Sequence, residues 1–154
     1  MIPFRLSFSA KHPHAIAVYY DVLNLRDLPM LSSITLFADI SGVEGPRPFS
    51  WLVNTLGTCH HPSRIESVKF MMLTCSFRQA EDLLWSTLDA LFAPYPERRW
   101  PQLKRFVIRH FSNSSDQANG GKLEKTIRSM IPVLASADIL QFTMSGQYFP
   151  FSVV

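Results

Sequence analysis

Five times along the chain an apolar residue is followed, three and five positions later, by two more. The copies are Met1, Phe4, Leu6; Leu31, Ile34, Leu36; Ile65, Val68, Phe70; Leu103, Phe106, Ile108; and Ala137, Leu140, Phe142. Their central positions step by 30, 34, 38 and 34 residues. Two apolar residues separated by one other share a face of a β-strand. Their return at near-constant spacing is the mark of a repeated unit. Pro29, Pro62 and Pro101 stand just ahead of three copies, at strand entries where a missing N–H is tolerated.

Helical patterns fill the intervals. Ile16, Tyr19, Tyr20 and Leu23 share one face, as do Phe49, Leu52, Val53 and Leu56, with Gly57 as a C-terminal stop. The stretch 76–94 predicts one long helix with a stripe of Leu84, Leu88 and Leu91, widened by Trp85 and Phe92 and ended by Pro94. Leu123, Ile127, Met130, Ile131 and Leu134 form the last stripe, which Pro132 should kink or shorten. The order is then β-α-β-α-β-α-β-α-β. It implies right-handed crossovers and a parallel sheet. The expected fold is α/β, a curved solenoid of β-α units, with a flat three-layer sheet as the alternative.

At 154 residues, of which 47% are hydrophobic and 18% charged, the chain reads as a single folded domain over residues 1–154. A net charge of +3 is too small to indicate nucleic acid without clustered cations. Two cysteines, Cys59 and Cys75, do not make a disulfide framework, so a reducing compartment, cytoplasm or nucleus, is expected. The N-terminus lacks the pattern of a signal peptide, and no apolar run approaches membrane-spanning length. Asn113 in "NSS" reads as loop sequence.

Candidate chemistry is sparse. Cys59, His60 and His61 are adjacent, but a structural zinc site needs four ligands in spaced pairs. The remaining Cys75, His12, His14 and His110 follow no such spacing. Cys75 and His110 could form a nucleophilic pair only with an orienting group and a depressed thiol pKa. After "MMLT", Cys75 reads as a buried filler. Gly42 and Gly45 fit neither the dinucleotide fingerprint nor the P-loop. Glu81 and Asp82 are placed in the first turn of a helix, where carboxylates suit the dipole. No catalytic residue, cofactor or metal is therefore expected. Residues 112–121, "SNSSDQANGG", read as a polar loop.

Arg98, Arg99, Lys104, Arg105 and Arg109 cluster around the fourth strand, and Lys122, Lys125 and Arg128 lie in the next helix with Glu124 among them. Aromatic platforms are not interleaved as single-strand nucleic-acid binders require. This set is better suited to a solvated face or to a patch for an acidic protein partner. Aligning the units places Arg5, Thr35, Lys69, Val107 and Gln141 in one column of the face away from the core. Ser7, Phe37, Met71, Arg109 and Thr143 form the next. Thr35, Phe37, Lys69, Met71, Arg105 and Arg109 are the candidate partner-binding residues. Phe37 and Met71 should be an exposed apolar spot rimmed by charge.

The apolar-x-x-apolar-x-apolar strand followed by a helix resembles a leucine-rich repeat. The phrases "SWLVNTL", "HPSRIESVKF", "LLWSTLDALF" and "WPQLKRFVI" resemble the divergent repeats behind the F-box of many fungal F-box proteins, over about residues 29–145. The usual Asn or Cys after the third apolar position is replaced by Asp39, Leu73 and Phe111, so no asparagine ladder is expected. No F-box is expected ahead of the repeats. The resemblance implies a non-enzymatic module for substrate recognition, without docking onto a ligase adaptor. The alternatives are a degenerate fragment without independent function, or a small α/β enzyme. Both ends read as uncapped for a solenoid, which invites the reading of a fragment of a longer protein.

Overall fold

The structure is a computed structural model and describes residues 4–10, 24–27, 31–40, 47–59, 64–74, 76–93, 100–112 and 120–145. Its strands are β1 (Phe4–Ala10), β2 (Leu31–Asp39), β3 (Ser67–Thr74), β4 (Arg105–Ser112) and β5 (Leu140–Ser145). They form one sheet in the order β1-β2-β3-β4-β5, and every neighbouring pair is parallel. The helices are α1 (Arg47–Gly57), α2 (Phe77–Glu81), α3 (Trp85–Ala90), α4 (Gly120–Met130) and α5 (Pro132–Ser136). The fold is thus α/β with a parallel sheet. The helix expected around Ile16–Leu23 lies outside the described residues.

The apolar motif sets the register. Ile34 pairs with Val68, Val68 with Phe106, and Phe106 with Leu140. The first copy departs from this: Leu6, not Phe4, stands opposite Ile34, after an irregularity between Phe4 and Arg5. A slip of two residues keeps every side chain on its own face, so the period alone does not forbid it. The columns away from the core therefore begin at Ser7 and Ser9 in place of Arg5 and Ser7.

One face of the sheet meets the helices. Ile34, Leu36, Val68, Phe70, Met72, Phe106 and Ile108 join Phe49, Leu52 and Leu56 of α1, Trp85 and Leu88 of α3, Leu123 and Ile127 of α4 and Leu134 of α5 in one core. Ile34, Leu36, Val68, Phe70, Phe106, Ile108, Leu140 and Phe142 are the last two apolar positions of the second to fifth copies; of these Phe142 alone is half-buried, because β5 is the edge of the sheet. The helix expected over 76–94 is two helices. Ser76 caps α2 by accepting from the Gln79 N–H (3.3 Å), and the helix ends at Asp82. The break resets the apolar face. Leu84 is 59% exposed, while Trp85 and Leu88 face inward. Glu81 and Asp82 therefore end α2 instead of starting a helix, and Asp82 pairs weakly with Arg78 at the surface (3.9 Å). Pro132 divides α4 from α5 as its ring requires.

That second junction has no cap of its own. Ile131 occupies the N-cap position of α5 and offers no side-chain acceptor. Asp89, buried on α3, supplies it from 44 residues away: its carboxylate accepts from the Val133 N–H (3.0 Å) and the Leu134 N–H (2.9 Å). Asp89→Ala leaves two donors without their acceptor and should lower stability by about 2 kcal/mol. Asp89→Asn, which keeps one acceptor oxygen, should cost about half of that. Urea unfolding of the two variants checks the order.

Candidate functional site

The strand face away from the helices carries the sequence-predicted residues. Thr35 and Phe37 lie on β2, Lys69 and Met71 on β3, Arg105 and Arg109 on β4, all in the alternate parity to the core set. Their register is Thr35–Lys69–Val107–Gln141 and Phe37–Met71–Arg109–Thr143. The four-strand part of both columns is as the motif alignment predicts.

Exposure differs from the expectation at two positions. Met71 is only 4% exposed and forms a small apolar cluster with Leu73 and Phe111, separate from the main core. Leu73 shares the face two residues on and pairs with Phe111, so three neighbouring apolar side chains pack together rather than face water. Thr35 is 7% exposed. It sits in an interior strand between Ser7 and Lys69, where a short side chain lies low between its neighbours. Thr35 and Met71 are thus not open contact residues. The side chain of Phe37 lies outside the described set.

The cations keep access to solvent. Arg105 is exposed, and Lys69 and Arg109 are half-buried. The Arg105 Nε donates to Ser67 Oγ of the paired strand at 3.4 Å. The Arg109 guanidinium stands 5.1 Å from the Phe111 ring centre, an arrangement that holds the charge without neutralising it. Arg105 and Arg109 are separated along β4 by about 13 Å at the strand rise, with Lys69 between them on the adjoining strand. Val107 lies among the three, and Gln141 and Thr143 extend the surface to the edge of the sheet, both exposed. Elsewhere Lys104 pairs with Glu66 (3.2 Å) and Arg128 with Glu124 (2.8 Å). Arg98 and Arg99 lie outside the described residues.

The other candidate chemistry disperses. Cys59 is buried two residues after the end of α1. His60, His61 and Cys75 lie outside the described residues, as do Gly42 and Gly45. Among the described residues no three His, Cys, Asp or Glu side chains are grouped as metal ligands, and no helix is long and apolar enough to cross a membrane. His110 is fully buried, its Nε2 2.7 Å from Thr74 Oγ1, and burial pushes its pKa down from 6.5 to about 4. The imidazole is therefore neutral at pH 7.

Sequence reasoning missed a cleft of about 570 Å³ at the entries to β4 and β5, lined by Phe92, Trp100, Leu103, Val133 and Ile139 among others. None of its lining residues is ionisable. Its Trp100 Nε1 donates to Leu91 O and its Ser136 Oγ to Val133 O, both at 3.0 Å, so these donors are already engaged. It lies at the amino ends of the strands, whereas open α/β sheets hold their ligands outside the carboxyl ends. The signal that could have found it is the bulky pair Phe92 and Trp100, both just ahead of β4, whose rings pack 5.1 Å apart.

No protein-family model matches the chain, and neither a curated protein nor a solved structure matches it significantly.

Proposed function

We propose that the chain is a non-enzymatic protein-interaction module of the cytoplasm or nucleus. In this reading it is a short β-α arc resembling the substrate-recognition repeats of an F-box protein. It takes an acidic, extended segment of a partner on the strand face that carries Lys69, Arg105 and Arg109. The arc is supported by the strand order, in which strands consecutive in the chain are parallel neighbours; crossovers of the usual right hand would put such connections on one side. The described helices accordingly share one core with one face.

The observation that carries the reading is the grouping of three solvent-reaching cations around Val107 on adjoining strands. Such a patch steers and orients an anionic partner more than it holds it. With Met71 buried, the surface among the cations is formed by Val107, with Gln141 and Thr143 toward the edge of the sheet.

A fluorescent Asp/Glu-rich peptide is the direct probe. The expected result is binding that weakens steeply between low and physiological salt. Lys69→Glu combined with Arg109→Glu should reduce affinity by about tenfold or more while circular dichroism stays unchanged. Equal binding of a Lys-rich peptide, or unchanged affinity in the double variant, would refute the proposal.

A further inference from the structure

Near the carboxyl ends of β3, β4 and β5, Met72, His110 and Met144 stand opposite one another. Three separate contacts place them on the helix side of the sheet. Met72 belongs to the main core. The His110 ring lies 5.7 Å from the ring of Phe77 in α2. Met144 meets the head of α4, where a Cβ on Gly120 would collide with its sulfur and methyl. Parallel neighbours lie about 4.8 Å apart, so the backbone positions of Met72 and Met144 stand one strand spacing to either side of His110.

The imidazole itself is half satisfied. Its Nε2 is engaged by the Thr74 hydroxyl, while Nδ1 meets no hydrogen-bond partner. A buried polar atom without a partner calls for an explanation. We propose that Met72, His110 and Met144 form a binding site for a soft monovalent cation, Cu(I), with Nδ1 and the two thioether sulfurs as its ligands.

The donor set selects the ion. Thioethers are soft and uncharged, and they favour Cu(I) over the hard divalent ions that need carboxylates or water. All three donors are neutral, so the site gains one positive charge rather than two, which limits the cost of burying it. A hydrogen bond from the distal nitrogen to an oxygen is the usual way a ligating imidazole is oriented. In the tautomer whose Nε2–H donates to Thr74 Oγ1, the lone pair is left on Nδ1. Met144 is half-buried on the edge strand and offers the way in.

The test is anaerobic Cu(I) titration against a chromophoric chelator, using the full chain with Cys59→Ser and Cys75→Ser to remove thiol ligands. The expected result is one Cu(I) per chain, with X-ray absorption showing nitrogen and sulfur ligation. His110→Gln and Met144→Leu should each weaken binding by about tenfold or more. Met144→Leu conserves volume and should leave the fold intact. Gly120→Ala keeps all three ligands but displaces the Met144 thioether, and should weaken binding by a smaller factor. The proposal is overturned if the thiol-free chain binds no stoichiometric Cu(I), or if binding survives His110→Gln or Met144→Leu unchanged.

Discussion

Replacing Trp85 by alanine should cost the protein about 3–5 kcal/mol, a large part of the stability of an ordinary domain. Trp85 is fully buried at the start of α3. Its ring packs edge-on against Phe49 of α1 (centroids 5.0 Å apart) and Phe70 of β3 (6.2 Å), and these two meet each other at 5.6 Å. The indole Nε1 also donates to Ala80 O at 2.7 Å, which ties α3 back to α2 across the break at 82–84. Alanine removes the ring from three elements at once and leaves that carbonyl without its donor. Trp85→Phe should cost roughly half as much, since it keeps an aromatic ring in the triad but not the hydrogen bond. Thermal unfolding gives the readout, with an expected drop of roughly 10–15 °C for alanine. A loss below about 1.5 kcal/mol would show that this triad is not the joint between the helices and the sheet.

The second large effect depends on pH and centres on His110. In the unfolded chain its imidazole takes a proton near pH 6.5, and in the folded chain only near pH 4, because burial disfavours the cation. Protonation would also give the ring two N–H donors where only Nε2 has a partner. Between these values the unfolded state binds a proton that the folded state does not. Stability contributed by the neutral ring is therefore complete above about pH 6.5, falls as pH drops to about 4, and then levels off. The expected loss across that window is about 3 kcal/mol. His110→Gln does not titrate and should flatten this part of the profile, whatever its own cost at neutral pH. Urea midpoints at pH 7 and pH 4.5 for both proteins give the comparison. Parallel pH slopes would mean that His110 ionises freely in the folded chain.

Much of the frame was legible along the chain. The apolar motif marks β2 to β5 and pairs Ile34, Val68, Phe106 and Leu140 across the sheet. Strand alternation and helical period are properties of the chain's own geometry, so a repeated apolar spacing carries them without help from distant residues. Pro132 likewise stops a helix by its own ring. The basic character of the outer strand face follows from the same alternation, which puts Lys69, Arg105 and Arg109 opposite in parity to the core.

What local pattern left open depends on contacts between segments far apart in sequence. A slip of two residues preserves the face, so only packing decides that Leu6 and not Phe4 stands beside Ile34. The break after Asp82 is held by Trp85 reaching back to Ala80, and it turns Leu84 outward against its helical stripe. Exposure on the outer face is also a tertiary property. Met71 reads as an open contact until Leu73 and Phe111 are brought beside it. The same holds for the polar groups inside. Asp89 becomes a helix cap, and His110 a neutral ring with an open nitrogen, only because the fold removes water from both and selects which partners remain.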